Sequence, residues 1–163
     1  MARRERVSET PATQFLRQHK LQFVEHVYAY VEHGGARHSA VQSGLDPFCV
    51  VKTLVMQDEH AGPLLVLMHG NRTVSTKNLA RQIGCKSVQP CLPDVASRHS
   101  GYQVGGTSPF ATRKRMPVFF EQTIIGLPRM LVNGGRRGYL LEIDPAACLR
   151  LLDARPVQCA LAE

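Results

Sequence analysis

Val50–His69 reads VVKTLVMQDEHAGPLLVLMH, and the fold class follows from it. Val50–Met56 is dominated by β-branched and apolar residues, the composition of a strand packed in a sheet. Leu64–His69 is a second apolar run of strand length. Gln57–Gly62 between them is polar and ends in glycine, so the two runs fold back on each other as an antiparallel pair. Short helical and strand-like segments surround this pair. The expectation is an α+β single domain with a mixed, mostly antiparallel sheet flanked by short helices.

Downstream, Thr76 is placed to cap a helix through Ile83 that Gly84 ends. Lys86–Cys91 reads as a short strand and Asp94–His99 as one or two helical turns. Val118–Ile125 and Arg129–Val132 are strand-like, and Gly134-Gly135 turns the chain into another strand, Tyr139–Ile143. Asp144-Pro145 then opens a closing helix over Ala146–Leu152. Upstream, Thr10 is an N-cap and Pro11 occupies the first helical position. Ala12, Phe15, Leu16 and His19 recur at helical spacing, which carries this helix to about Lys20. Leu21–Tyr30 predicts a strand, and Arg37–Ser43 a short helix stopped by Gly44. Residues 1–9 are polar, with Arg3, Arg4 and Arg6, and read as a frayed basic tail. The folded domain is expected over 10–157.

The chain has 163 residues, enough for one domain with a proper core. Its net charge of +7 suits a polyanionic partner such as nucleic acid. Aromatic residues make up only 6%, which argues against a platform of many stacked bases. The five cysteines form no CxxC pair and no secretory leader is evident, which together point to the reducing cytoplasm. The longest apolar run, Leu64–Met68, is too short to cross a membrane. No HExxH or comparable His/Cys set exists, so no metal is expected. No GxSxG elbow is present, and no GxxxxGK[ST] phosphate loop.

Two places can carry chemistry. Lys52 interrupts an apolar strand, so it is either a solvated outward lysine or the positive charge of a polar cleft; the strand alone favours the outward reading. Gly101–Arg115, GYQVGGTSPFATRKR, combines the permissive pair Gly105-Gly106 with the hydroxyls of Thr107 and Ser108. Backbone N–H groups of such a turn can face a carbonyl or phosphate oxygen. Pro109 stiffens the exit, and Arg113, Lys114 and Arg115 add phosphate-seeking charge. The alternative is a plain surface turn followed by a solvated charge run. Asn133-Gly134-Gly135-Arg136-Arg137-Gly138 repeats the glycine-and-arginine combination, and locally reads as a hairpin loop.

Taken in order, Thr10-Pro-Ala, Val51-Lys52-Thr53-Leu54, Gly101-Tyr-Gln-Val-Gly-Gly-Thr-Ser-Pro109 and Val132-Asn-Gly-Gly-Arg-Arg-Gly138 are similar to the motif set of the YbaK and prolyl-tRNA-synthetase-associated editing domain family. The likeness runs from about Thr10 to Ala154 and reverses the reading of Lys52 and of the glycine loop. It implies a trans-editing aminoacyl-tRNA deacylase that clears mischarged tRNA, Cys-tRNA(Pro) above all, by metal-free, substrate-assisted chemistry without a cofactor. The implied partners are the 3′ CCA end of aminoacyl-tRNA and prolyl-tRNA synthetase, with no membrane. The oligomeric state is left open. Lys52, Gly105, Gly106, Thr107 and Ser108 are the implied catalytic set. Tyr28, Tyr102, Pro109, Asn133, Gly134, Gly135 and Arg136 are the implied substrate-binding set. Two positions depart from the family: Asn133 replaces a serine, and Leu140 replaces an aspartate, with Glu142 the nearest acid. A deacylase for Ala- or Ser-tRNA, and a non-catalytic tRNA- or synthetase-binding module, remain the alternatives.

Overall fold

The hairpin expected at Val50–His69 forms. In the structure, a computed structural model that describes residues 9–32, 34, 35, 38, 40, 41 and 44–161, β2 (Val50–Asp58) pairs antiparallel with β3 (Pro63–His69). Both strands are apolar on alternate and adjacent positions alike because the sheet is covered on both faces. Val51, Val55, Leu65 and Leu67 face one cluster, and Met56, Leu64, Val66 and Met68 face another.

The sheet continues outward from this hairpin in the order β1-β8-β7-β2-β3-β6-β9, with β5 also on β2. Here β1 is Val24–Val27, β5 Val88–Pro90, β6 Val118–Glu121, β7 Met130–Asn133, β8 Tyr139–Ile143 and β9 Arg155–Val157. Pairs β2·β7, β3·β6 and β6·β9 are parallel, and β1·β8, β7·β8, β2·β3 and β2·β5 antiparallel. A second small sheet joins β4 (Thr73–Val74) to β10 (Ala160–Leu161). The α+β class with a mixed sheet is thus as expected.

Helices α1 (Pro11–Gln18), α3 (Pro93–Ser100) and α4 (Pro145–Leu151) lie on one face, through Ala12, Leu16, Ala96 and Cys148. Helix α2 (Thr76–Ile83) covers the other through Leu79 and Ala80. Each start has a local cause. Thr10 and Asp144 accept backbone N–H groups ahead of prolines at the first helical positions of α1 and α4. Ser75, one residue before the expected Thr76, caps α2 by accepting from the Asn78 N–H. Gly84 and Gly101 end α2 and α3 in the left-handed conformation.

Three expectations change. Val118–Ile125 is not one strand: the ladder stops at Glu121, whose carboxylate accepts from the Thr123 N–H and winds Gln122–Gly126 into a 3-10 turn. The Leu21–Tyr30 strand shortens to Val24–Val27, the length over which β8 offers a partner. Strands β4, β9 and β10 were not foreseen. The helix expected over Arg37–Ser43 and the tail over 1–9 fall mostly outside the described residues.

Candidate active site

One side of β2 carries an interrupted ladder. Strand β7 pairs with β2 only at Val50 and Val51, and β5 only at Met56, Gln57 and Asp58. Among the described residues, the edge from Lys52 to Val55 therefore meets no strand on that side. Asn133 closes β7 at one end of the gap. Cys91, whose N–H donates to the Val55 carbonyl at 3.1 Å, closes it at the other. A cleft of about 720 Å³ opens at this gap.

Lys52, Thr53 and Leu54 form its floor, with Pro90, Cys91 and Pro93 at one wall. Gly105 and Thr107 bring the first glycine loop to the cleft, Asn133 and Arg137 bring the second, and Tyr28, Tyr30 and His38 line the remaining side. Of the expected site, Lys52, Gly105, Thr107, Tyr28 and Asn133 thus meet at one cavity.

Lys52 is half-buried, and its ammonium donates to the Arg72 carbonyl at 2.6 Å. It is neither a freely solvated lysine nor an isolated buried charge. Gly105 adopts φ +85°, and a Cβ there would lie 2.6 Å from the Tyr30 hydroxyl oxygen, so conformation and space both require glycine. Gly106 rests main chain on main chain: a Cβ would meet the Arg136 Cα and carbonyl carbon at 2.9 Å. Its N–H donates inward to the Gln103 carbonyl at 2.9 Å and is not offered to the cleft. Among the described residues, the N–H groups of Gly105, Thr107 and Ser108 have no protein acceptor.

Other expected residues sit behind the cleft. Ser108 is fully buried, and its hydroxyl accepts from the Phe110 N–H at 3.3 Å, which makes it a turn residue and not an accessible nucleophile. Pro109 is buried beside it. The buried Tyr102 hydroxyl donates to the Phe110 carbonyl at 2.6 Å, and burial pushes its pKa up to about 12. Gly134, Gly135 and Arg136 build the second loop: the Thr10 hydroxyl donates to the Gly134 carbonyl at 2.5 Å, and the Arg136 guanidinium covers the Tyr139 ring at 4.8 Å.

Asn133 joins the two loops. Its Nδ2 donates to the carbonyls of Gly105 at 3.2 Å and Arg136 at 3.1 Å, and its Oδ1 accepts from the N–H groups of Gly135 at 2.7 Å and Arg136 at 3.2 Å. Arg137 makes a second cross-link, donating from Nε to the Val104 carbonyl at 2.9 Å and stacking over Tyr30 at 4.8 Å. Leu140 is buried with Val50 and Leu131, so the position where the resemblance implies an aspartate is apolar here. Glu142 points to His26 and Arg129 and is spent on that surface cluster.

Sequence reasoning missed Tyr30, His38 and the role of Arg137. The alternation Tyr28/Tyr30 was a usable signal. The His38 Nε2–H bond to the Ala29 carbonyl at 3.1 Å was not. The cysteine in the cleft is not a ready nucleophile: burial raises the Cys91 pKa, and its Sγ–H donates to Gln57 Oε1 at 3.5 Å. Among the described residues, no three His, Cys, Asp or Glu side chains are grouped to hold a metal ion.

The chain resembles known proteins along nearly its full length. It is 29% identical over 156 residues, 95% of each chain, to an Enterococcus faecalis protein named "Putative Cys-tRNA(Pro)/Cys-tRNA(Cys) deacylase EbsC". Two solved structures share the fold. One, titled a hypothetical protein, superposes with a TM-score of 0.85 at 18% identity, over 93% of this chain and 100% of its own. The other, titled "a putative trans-editing enzyme for prolyl tRNA synthetase", gives 0.79 at 20% identity, over 95% of this chain and 100% of its own. Residues 35–151, which include both glycine loops and every strand bordering the gap, match the family model for the aminoacyl-tRNA editing domain, and the chain belongs to that family.

Proposed function

We propose that the protein is a trans-editing deacylase that cleaves the ester between a wrong amino acid and the 3′ adenosine of tRNA, with Cys-tRNA(Pro) as its principal substrate. The observation that carries this reading is the meeting of Lys52 with the open N–H groups of Gly105 and Thr107 at one cleft. The cysteine preference is supported by the name of the relative that spans 95% of both chains.

An aminoacyl ester is already activated, so the protein has three tasks. It holds the terminal nucleotide, for which the Lys52 ammonium and the Arg137 guanidinium are suited. It offers N–H donors to the oxygen on which charge develops, and each well-placed donor is worth about 3 kcal/mol. It also fixes the substrate thiol against its own ester carbonyl, where proximity contributes up to about 7–11 kcal/mol. The step is balanced within the substrate. The sulfur–carbonyl bond forms, the bond from carbonyl carbon to the ribose oxygen breaks, and the thiol proton ends on that oxygen. Water then opens the released thiolactone. No protein nucleophile is required, in keeping with the buried Ser108 and the protonated Cys91.

Proline must be refused, or the correct product would be destroyed. Tyr28, Gly105 and Thr107 line the cleft and bound the space for a side chain, but a small apolar difference discriminates by only about 1–3 kcal/mol. Some action on Ala- and Ser-tRNA is therefore expected. Prolyl-tRNA synthetase, the source of mischarged tRNA(Pro), is the proposed partner.

The test is release of labelled amino acid from Cys-tRNA(Pro), Ala-tRNA(Pro) and Pro-tRNA(Pro), with and without a chelator. Rapid loss of cysteine unaffected by chelator supports the reading. Retained tRNA binding with no release from any of the three replaces it with a binding module.

A further inference from the structure

The gap in the β2 ladder has a direction that can be read from its neighbours. The Val50 carbonyl accepts from Gly70 N–H on the β3 side, whereas the Cys49 and Val55 carbonyls accept from Leu131 and Cys91 N–H on the opposite side. Successive residues of a strand present their N–H and C=O pairs to opposite neighbours. Thr53 therefore turns its backbone N–H and C=O away from β3 and into the gap. The register agrees: Thr53 lies opposite Leu67, while Leu65, two residues earlier on β3, sends its N–H to the Pro117 carbonyl on the far side. Asn133 and Cys91 bound the gap, so among the described residues the stretch with no strand on that side, Lys52 to Val55, spans roughly 10 Å at about 3.3 Å per residue, with Thr53 inside it. The ladder lacks one rung. In addition, the Thr53 Oγ1 is buried without a hydrogen-bond partner.

We infer that the missing rung is the aminoacyl group itself: the Thr53 carbonyl accepts from the substrate α-ammonium and the Thr53 N–H donates to the ester carbonyl oxygen. This rests on the deacylase reading and deepens it. An aminoacyl ester is one residue's worth of main chain, with donors at its amino end and an acceptor at its carbonyl, so it complements an unpaired strand residue. The Thr53 hydroxyl receives a further ammonium proton and loses its isolation. Position favours this occupant over the adenine edge, which also offers a donor and an acceptor. Thr53 lines the same cleft as Lys52, Gly105 and Thr107, where the ester carbon is proposed to sit, and the α-carbon is bonded to that carbon. Main-chain pairing reads every α-amino acid alike, which leaves side-chain choice to the rest of the cleft.

The test uses the intact protein and stable amide analogues: 3′-deoxy-3′-(alanylamino)adenosine, its desamino counterpart 3′-deoxy-3′-(propionylamino)adenosine, and adenosine. In ¹H–¹⁵N spectra the alanylamino compound is expected to bind at least tenfold more tightly than the propionylamino one. The Thr53 amide should be among those shifted most, and adenosine alone should leave it in place. Equal affinities of the two analogues, an unmoved Thr53 amide at saturation, a Thr53 shift produced by adenosine, or no binding of either analogue would each overturn the rung. Deacylation is measured in parallel on Cys-tRNA(Pro) and on tRNA(Pro) carrying 3-mercaptopropionate. Equal turnover of both sinks the rung and leaves the deacylase standing. No turnover of either sinks the deacylase, while the analogue titration still decides the rung.

Discussion

The Asn133 side-chain amide donates to the Gly105 carbonyl at 3.2 Å and so ties the first glycine loop to the second, 28 residues further along the chain. The same side chain accepts from Gly135 and Arg136. Asn133→Ala removes both halves of the clasp. Stability should fall by about 1–2 kcal/mol, and kcat for Cys-tRNA(Pro) by roughly tenfold, the cost of misplacing a positioned group. Asn133→Ser retains a hydroxyl near the Gly135 N–H but is too short to reach Gly105. It should recover the stability and only part of the rate. Denaturant unfolding and single-turnover deacylation separate the two effects.

Lys52→Ala should lower kcat/KM at least 100-fold, equivalent to about 2.7 kcal/mol of transition-state stabilisation. Its ammonium donates to the Arg72 carbonyl at 2.6 Å and its side chain is half-buried, so the fold should survive with little change in Tm. Turnover within threefold of wild type by a folded variant would remove Lys52 from the reaction.

Gly106→Ala sets a methyl group against the Arg136 main chain, where no side chain can rotate aside. The two loops must separate. We expect a loss of about 1–3 kcal/mol in stability from overpacking and a loss of activity exceeding that of Asn133→Ala. A variant as active and as stable as the wild type would show that the loops are not held at a fixed spacing.

Glu121 gives the protein an acid-labile joint. Burial alone would raise its pKa. Hydrogen bonds from the Thr123 hydroxyl and from the N–H groups of Thr123, Cys159 and Ala160 outweigh burial and hold it below its ordinary 4.5. The unfolded chain thus binds this proton more readily than the folded one. Its contribution to stability is complete above about pH 4.5 and is lost as pH falls through the folded value. Glu121→Gln should cost about 2–3 kcal/mol at pH 7 and flatten the acid limb of a stability profile measured from pH 7 to 3. An unchanged acid limb would assign that loss to other carboxylates.

Much of this architecture was legible in the residues. The β2–β3 hairpin announces itself because both faces are buried and the turn is polar. The caps at Thr10 and Asp144 are local chemistry, as is the stop at Gly84, whereas Gly101 reads in the sequence only as part of the glycine loop and not as the end of α3. What was hidden is non-local. Pro156 lies in the middle of β9 and argues against a strand, yet β9 pairs on one side only, where an edge tolerates proline. The end of the Val118 strand depends on the Glu121 side chain turning back to Thr123. The site shows the same division. Lys52 and Gly105 could be singled out, but the gap along β2 depends on where β7 stops and where β5 begins, and no local pattern encodes either point.

The Thr10 hydroxyl, which caps α1 and donates to the Gly134 carbonyl, joins residues 124 positions apart. A ribosome adds about 5–20 residues per second. The first helix therefore waits about 6 to 25 seconds for its partner loop to be made. Until then Thr10 has no Gly134 carbonyl to accept its hydroxyl hydrogen bond, and the cleft lacks the wall that Asn133 and Arg137 supply. A nascent copy therefore holds only part of its cleft until the residues from Asn133 to Gly138 have been added.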